Sequence, residues 1–247
     1  MILRGMGTIE GTTRLVGLLG DPVAGSLSPR MQNAAFAARG LDWAYVPLRV
    51  DHAALGDAVA GLVAVGFAGA NVTTPHKTSV IPFCTELDES AEGAGSVNTL
   101  VIREGRVTGA STDAEALDEV ENASSAAVIG AGGAAGAWIA ALEARGIPVD
   151  VFARRGTWPP ETDGADLVVQ ATPVKDELLF RPRAGQTLIE LVYSRDGGET
   201  AHTAAARAAG ARVIDGLEVL VGQGAASFER WTGMLAPVDV MRGAIRP

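Results

Sequence analysis

Several short stretches of the chain carry side chains whose types and spacing suit chemistry. The most informative is residues 126–136, Ala-Ala-Val-Ile-Gly-Ala-Gly-Gly-Ala-Ala-Gly, where an apolar run meets a glycine cluster and then an alanine-rich stretch. It reads as strand, tight turn and helix. Gly130 and Gly132 occupy the first two glycine positions of a dinucleotide fingerprint, which allow a sharp turn and close approach of a pyrophosphate to the N–H groups at a helix N-terminus. Ala131, Gly133 and Ala134 complete the turn, and Ala135 stands where a small residue packs the helix on its strand. The next strand, 147–152, ends about 20 residues further on, where an acidic residue would hold the ribose of NAD. Here the sequence is Ala153-Arg154-Arg155. A carboxylate would repel a 2′-phosphate, whereas guanidinium groups fork onto one and stack on adenine. These residues favour NADP over NAD.

Other polar groups stand where elements begin or end. Ser28 precedes Pro29, which reads as a helix start with the hydroxyl capping free N–H groups. Ser26 has no such capping reason. Two hydroxyls beside the positive end of a helix also make a seat for a small carboxylate. Thr73 and Lys77 follow an apolar run at 67–72, and polar groups after the carboxyl end of a parallel strand lie where open α/β sheets bind ligands. A lysine at a helix start is opposed by the helix dipole, so Lys77 asks for another explanation. Thr112-Asp113-Ala-Glu115 fits a capping box that opens a helix to about Val120, and a carboxylate in that first turn suits the dipole. Gln223 falls off the apolar stripe of the last long helix, as an exposed glutamine or a ligand contact.

The elements that must position these groups alternate. Strands at 14–19, 45–50 and 67–72 are separated by helices at 28–39 and 52–65, which implies parallel crossover units. Residues 96–111 form a hairpin with its turn at Glu104-Gly105 and Asn98 near its start. The polar stretch 121–125 is the candidate boundary between lobes. Beyond the glycine turn, strands at 166–170, 187–192 and 212–214 complete a second sheet, the first running into Thr172-Pro173 and the second into Tyr193. Asp215-Gly216 opens a final helix with Leu217, Leu220, Gly224, Phe228 and Trp231 on one stripe. Residues 1–13 lack periodicity and read as a poorly ordered lead-in.

Composition bounds the possibilities. The 247 residues suffice for one large domain or two small ones, and although 47% are apolar, no run approaches the roughly 18 apolar residues of a membrane span. The start lacks a signal-peptide apolar region, so a soluble cytoplasmic protein is expected. A single cysteine, Cys84, excludes an internal disulfide, and His52, His76 and His202 are too scattered for a metal site. A net charge of −9 argues against nucleic-acid and anionic-membrane partners. It also means that binding an anionic cofactor requires positive charge concentrated locally.

Read in order, the stretches Gly20-Asp-Pro-Val-Ala-Gly-Ser26-Leu-Ser28-Pro, Gly69-Ala-Asn-Val-Thr73-Thr-Pro-His-Lys77, Ser96-Val-Asn98-Thr, Ser111-Thr-Asp113, Gly130-Ala-Gly-Gly-Ala and Asp215-Gly-Leu-Glu-Val-Leu-Val-Gly-Gln223 resemble the shikimate dehydrogenase family. The resemblance extends from Gly17 to about Met241. It implies a two-lobed α/β fold: an N-terminal substrate domain with a mainly parallel sheet (1–112), a Rossmann-like NADP-binding domain (113–215), and a C-terminal helical segment (216–247) returning to the substrate domain. The implied reaction is the reversible, NADPH-dependent reduction of 3-dehydroshikimate to shikimate, in aromatic amino acid biosynthesis. Lys77 and Asp113 match the family's catalytic pair. Ser26 and Ser28 match the serines that bind the substrate carboxylate, with Tyr193 near it. Thr73, Asn98, Asp113 and Gln223 match positions contacting the ring hydroxyls. Gly130, Ala131, Gly132, Gly133, Ala134, Arg154, Arg155, Thr172 and Gly216 match the cofactor site. No metal is implied, and the partner is a small molecule, bound by a monomer or homodimer.

Departures from the family pattern are Ser111 and Gln170 where asparagine is common, Ala153 before the arginines, and Thr74 and His76 where valine and phenylalanine are frequent. None removes a proposed catalytic group. They leave open a preference for quinate or an aminated shikimate analogue. A non-catalytic ligand-binding relative is the alternative of a different class, which the joint presence of Lys77 and Asp113 disfavours.

Overall fold

The computed structural model describes residues 9–120, 123–194 and 197–246. They divide into two compact units. The first comprises the chain up to Glu92, Ser96–Thr112 and Val221–Arg246; the second comprises Gly93–Gly95 and Asp113–Leu220.

The first unit is built on a six-stranded sheet. In chain order its elements are β1 (Arg14–Gly20), α1 (Ser28–Ala38), β2 (Trp43–Arg49), α2 (Leu55–Ala64), β3 (Gly69–Val72), β4 (Glu86–Leu87), α3 (Glu89–Ala94), β5 (Thr99–Arg103) and β6 (Arg106–Ala110). The strand order is β2-β1-β3-β5-β6-β4. β1 is parallel to β2 and β3, while β5 runs antiparallel to β3 and β6. The apolar runs of β1 and β3 are buried on both faces, whereas the edge strand β2 is only partly buried, and Leu19, Val72 and Leu100 belong to one cluster with Leu55 and Leu62 of α2. The β5–β6 hairpin turns at Glu104 (φ 51°) and Gly105 (φ 77°), the two left-handed residues that a two-residue turn needs to match strand twist.

In the second unit β7 (Ala126–Ile129), α4 (Gly133–Ala144), β8 (Val149–Phe152), β9 (Leu167–Gln170), β10 (Thr187–Glu190), α5 (Ala201–Ala208) and β11 (Arg212–Ile214) form a parallel sheet of order β11-β10-β9-β7-β8. Counted from the first strand of this unit, the order is 2-1-3-4-5, a doubly wound sheet whose direction of winding reverses between β7 and β9. Trp138, Leu142 and Ala135 of α4 cover Val128 and Val169 on one face; Phe152, Val168, Phe180 and Leu188 form the cluster that includes Ala206 of α5. The long helix α6 (Gly216–Thr232) starts in this unit and ends in the first, and α7 (Val238–Ile245) closes the described chain.

Four local expectations fail, three of them where a tertiary partner takes the group concerned and one where a neighbouring hydroxyl does. Ser28 is the first residue of α1 and not its cap: Leu27 holds the cap position and provides no side-chain bond, while the Ser26 hydroxyl accepts the Ser28 N–H at 3.1 Å. The box at Thr112–Glu115 does not form. A 3-10 turn, Glu115–Glu119, begins after Ala114 without a side-chain cap, because the Thr112 hydroxyl is engaged elsewhere. No helix begins at Lys77; residues 74–80 are turns, and the Lys77 carbonyl accepts the Val97 N–H at 2.8 Å. Of the expected lead-in, residues 1–8 lie outside the described residues, but Thr12 and Thr13 donate their hydroxyls to Asp42 at 2.8 and 2.6 Å. Those bonds hold the Asp42 carboxyl below the usual carboxylate range.

Close approach in the first unit leaves no room for a side chain at Gly69. A methyl there would overlap the Leu100 carbonyl oxygen and lie 2.5 Å from Trp231 Nε1, which donates to that same oxygen at 2.9 Å. Gly69→Ala is therefore expected to destabilise the protein by about 1–3 kcal/mol, read as a lower urea midpoint at unchanged slope.

Candidate active site

In an open α/β sheet, ligands collect outside the carboxyl ends of the strands where winding reverses. In the first unit that point lies between β1 and β3, which carry the loops holding Ser26, Ser28, Thr73 and Lys77. The two strand ends are tightly joined. The Thr73 N–H donates to the Leu19 carbonyl at 2.8 Å, the Asp21 N–H to the Thr74 carbonyl at 3.1 Å, and a methyl on Gly20 would overlap Thr73 Cγ2. With its amide bonded to Ser26, Ser28 leads into α1 at only 7% exposure, and its hydroxyl takes no part in capping. Lys77 is half-buried. His76 is fully buried, with Nε2 2.7 Å from the carbonyl of Val50, the residue after β2.

Asn98 joins this edge because β5 is antiparallel: it starts where β3 stops, and the Val72 N–H donates to the Asn98 carbonyl at 2.8 Å. The hairpin then returns residues 111–112 alongside. The Thr112 N–H donates to Asn98 Oδ1 at 2.8 Å, so the amide's orientation is fixed by a backbone donor, and Asn98 Nδ2 donates to Thr112 Oγ1 at 2.9 Å. Thr112 in turn donates its hydroxyl to the Gln223 carbonyl at 2.9 Å, and Gln223 Oε1 is 3.5 Å from Asn98 Nδ2. Behind them lies a buried polar network. Tyr45 donates to Asn71 Oδ1 at 2.8 Å, Asn71 Nδ2 reaches Ser227 Oγ at 3.0 Å and Thr99 Oγ1 at 3.1 Å, and Thr99 and Ser227 hydroxyls are 2.8 Å apart. Asp113 follows Thr112 directly and is buried, with 8% of its surface exposed.

Sequence reasoning missed Tyr45, Asn71, Thr99, Thr112 and Ser227 as supports of this cluster. A signal existed for two of them. Asn71 interrupts the apolar run of β3, and Ser227 sits one turn after Gln223, on a helix otherwise packed by Phe228 and Trp231. Cys84 is no nucleophile: burial pushes its thiol up to about 11, so it stays protonated near neutral pH.

In the second unit the reversal falls between β7 and β9, whose following turns hold Gly130 and Thr172. Gly130 adopts φ 129°, donates to the Phe152 carbonyl at 2.9 Å and packs on Ala171, where a methyl would come within 2.9 Å of the carbonyl oxygen. Gly132 is the cap of α4 in extended conformation, and a methyl on it would meet nothing within 4 Å. The helix has no acidic residue in its first turn. Ala131 is exposed, and Gly133 and Ala134 are half-buried. Gln170 shapes the neighbouring turn: it accepts the Thr172 N–H at 2.7 Å and donates to the Val174 carbonyl at 2.8 Å. Its longer side chain thus closes the loop where asparagine was the family expectation. Arg154 and Arg155 are exposed after β8; Arg154 lies 5.6 Å over the Trp158 ring and 3.8 Å from Glu177. Gly216 begins α6 against Val192, whose carbonyl oxygen a methyl would overlap, and Asp215 caps that helix by accepting the Leu217 and Glu218 N–H groups at 3.1 Å. Tyr193 is half-buried beside this start.

A doubly wound parallel sheet with a glycine turn at a helix N-terminus, joined in one chain to a unit with a polar cluster at its own strand ends, defines the class of two-unit dinucleotide-binding α/β proteins. The model of the shikimate dehydrogenase substrate binding domain matches residues 18–100, and that of the shikimate 5'-dehydrogenase C-terminal domain matches residues 216–246. A shikimate dehydrogenase (NADP(+)) of Anaeromyxobacter sp. (strain Fw109-5) is 40% identical over 96% of this chain and 97% of its own. Its counterpart in Moorella thermoacetica is 39% identical over 96% and 94%. The crystal structure of shikimate 5-dehydrogenase from Thermus thermophilus in complex with NADP(H) and shikimate aligns with TM-score 0.85 at 30% identity, covering 94% of this chain and 98% of that one. The chain belongs to the shikimate dehydrogenase family.

The Thr112 hydroxyl accepts a hydrogen bond from Asn98 Nδ2 at 2.9 Å. Thr112→Val keeps the volume and the backbone donor but removes a buried acceptor of Asn98 and the hydroxyl's bond to the Gln223 carbonyl, so a stability loss of about 1–3 kcal/mol is expected. Urea denaturation monitored by tryptophan fluorescence measures it.

Proposed function

We propose that this protein catalyses the NADPH-dependent, reversible reduction of 3-dehydroshikimate to shikimate. The observation that carries the reading is that the carboxyl ends of β1 and β3 and the amino end of β5 meet at one edge of the first unit, where the Thr112 backbone fixes the Asn98 amide beside the segments that carry Ser26, Ser28, Thr73 and Lys77. Relatives 39–40% identical over nearly their whole length bear the name of that activity.

The residues fit the cofactor. The open space at Gly132, at the start of a helix without first-turn carboxylates, suits a pyrophosphate, and Arg154 and Arg155 suit a 2′-phosphate. When bound, NADPH supplies the hydride. Gly130, Ala131, Gly132, Gly133 and Ala134 offer it backbone, with Thr172 and Gly216 completing the site. Ser26 and Ser28, at the positive end of α1, hold the substrate carboxylate, and Tyr193 serves the same group. Thr73, Asn98 and Gln223 bind the ring hydroxyls. As the ketone is reduced, negative charge grows on its oxygen; the Lys77 ammonium stabilises that charge and delivers a proton. Asp113 orients the ammonium and binds the adjacent hydroxyl. The net charge of −9 leaves nucleic acid outside its partners, and no helix among the described residues is long and apolar enough to cross a membrane. Work in the cytoplasm, as a monomer or homodimer, completes the reading.

A spectrophotometric assay crossing NADP and NAD with shikimate and quinate tests substrate and cofactor together; turnover with quinate alone, or none at all, rejects the reading. Lys77→Ala is expected to lose on the order of 10³-fold in kcat, with KM for shikimate changed only a few-fold. Near-normal turnover in that variant would remove Lys77 from the chemistry. Replacing Arg154 and Arg155 together by alanine should raise KM for NADP about ten-fold or more and leave KM for NAD nearly unchanged.

A further inference from the structure

Behind the segment that carries Tyr193 lies a group of polar side chains that neither the proposed chemistry nor the cofactor site uses. Glu190, the last residue of β10, and His202, in α5, are both wholly buried. Glu190 Oε1 accepts the Val192 N–H at 3.2 Å, and Oε2 accepts the Thr200 hydroxyl at 3.0 Å. Thr200 also caps α5, accepting the Thr203 N–H at 3.2 Å. The Leu179 N–H donates to His202 Nε2 at 3.0 Å. With Nε2 accepting, the hydrogen of the neutral ring resides on Nδ1. That atom has no hydrogen-bond partner of its own and lies 3.6 Å from Glu190 Oε2. Phe180 stacks on the ring at 5.0 Å and holds it there.

One carboxyl group therefore holds both the Val192 N–H and the Thr200 hydroxyl. Its grip falls on the residue before Tyr193, and the other side of the same residue is gripped too. The Val192 carbonyl lies against Gly216, so closely that no side chain fits there, and a methyl at Gly216 would stand 3.0 Å from the Tyr193 nitrogen. Val192, the residue before Tyr193, is thus held at its N–H by Glu190 and packed at its carbonyl by the start of α6. A buried carboxyl is costly to a fold unless its acceptor positions are filled. At the end of a core strand an apolar side chain would serve packing better. The cost is understandable if the group fixes a neighbour that must be placed accurately.

We propose that Glu190 is a positioning residue for Tyr193: through the Val192 N–H and Thr200 it clamps the segment that presents the phenol to the substrate carboxylate. The proposal rests on the assignment of Tyr193 to that carboxylate. Three side chains act as one device, in which Glu190 binds the chain before Tyr193, Thr200 ties the far end of the segment to the same carboxyl group, and His202 closes the buried side.

The chain has two tyrosines, Tyr45 and Tyr193, so protein labelled with 3-fluorotyrosine gives two fluorine resonances, assigned by Tyr193→Phe. In Glu190→Leu, which keeps bulk but removes both acceptors, the Tyr193 line should shift or broaden while the Tyr45 line stays. KM for shikimate should rise about ten-fold, with kcat and KM for NADP within about two-fold. Glu190→Gln, which retains an acceptor for the Val192 N–H, should restore most of the difference. In a Tyr193→Phe background, Glu190→Leu should add nothing further to KM. Should Glu190→Leu fail to fold, Thr200→Val carries the same comparison of the two lines. An unmoved Tyr193 line in a folded variant, equal movement of both lines, or additive effects on KM overturns the proposal. Absence of turnover in the unaltered protein would reject the functional reading instead, and the fluorine spectra would still decide whether the clamp exists.

Discussion

The hydrogen bond from the Thr112 backbone to Asn98 Oδ1, 2.8 Å long, is the constraint on which the candidate site depends. A backbone N–H can only donate, so it settles which way the amide faces, and the amide settles the rest. Nδ2 must then meet Thr112 Oγ1, that hydroxyl must pass its own hydrogen to the Gln223 carbonyl, and Gln223 is held one helical turn from Ser227. Tyr45 and Asn71 close the chain of donors and acceptors from the sheet side. A buried polar network is stabilising only when each member is satisfied. This one joins β2, β3, β5, the end of β6 and α6 into a single arrangement from which Asp113 emerges.

Topology supplies the second constraint. Both units place their candidate loops where the winding of neighbouring parallel strands reverses, between β1 and β3 in one and between β7 and β9 in the other. Strands on either side of such a point send their crossovers away in opposite directions, leaving the loop ends uncovered. The antiparallel β5 then delivers Asn98 to the same edge without a crossover. Where loops must pass closely, glycine or a small residue stands: Gly20 under Thr73, Gly69 beneath Trp231, Gly130 against Ala171, and Gly216 against Val192.

Fixed polar side chains also do the work that helix capping was expected to do. Ser26, not Ser28, takes the first amide of α1, which leaves the Ser28 hydroxyl out of the cap. Thr112 gives its hydroxyl to α6, so the expected helix after it shrinks to a 3-10 turn. Gln170, one methylene longer than asparagine, folds the turn around Thr172 on itself. Only at Thr112 does the local preference yield to a partner distant in the chain, 111 residues away at Gln223; Ser26 and Gln170 act on neighbours two to four residues on.

Most strands and helices were legible because their signals are local: apolar runs of strand length, proline after serine, and glycine where φ is positive at Gly105 and Gly130. The Glu104-Gly105 hairpin and the 126–136 turn fall in this class, as do the candidate residues carried by the family's motifs. The order of strands, the antiparallel insertion of β5, and the supports at Tyr45, Asn71, Thr99 and Ser227 did not, nor did the Glu190 and His202 pair. Hydrogen bonds spanning 26 residues, as between Tyr45 and Asn71, or 128, as between Thr99 and Ser227, leave no periodicity to read. The sequence by itself determined most of the strands, turns and helices among the described residues and which groups are candidates to bind a dinucleotide and a small acid. Only tertiary structure decided which hydroxyl caps, which amide face is presented and which buried carboxyl holds a loop, because those choices are made by partners that folding alone brings into reach.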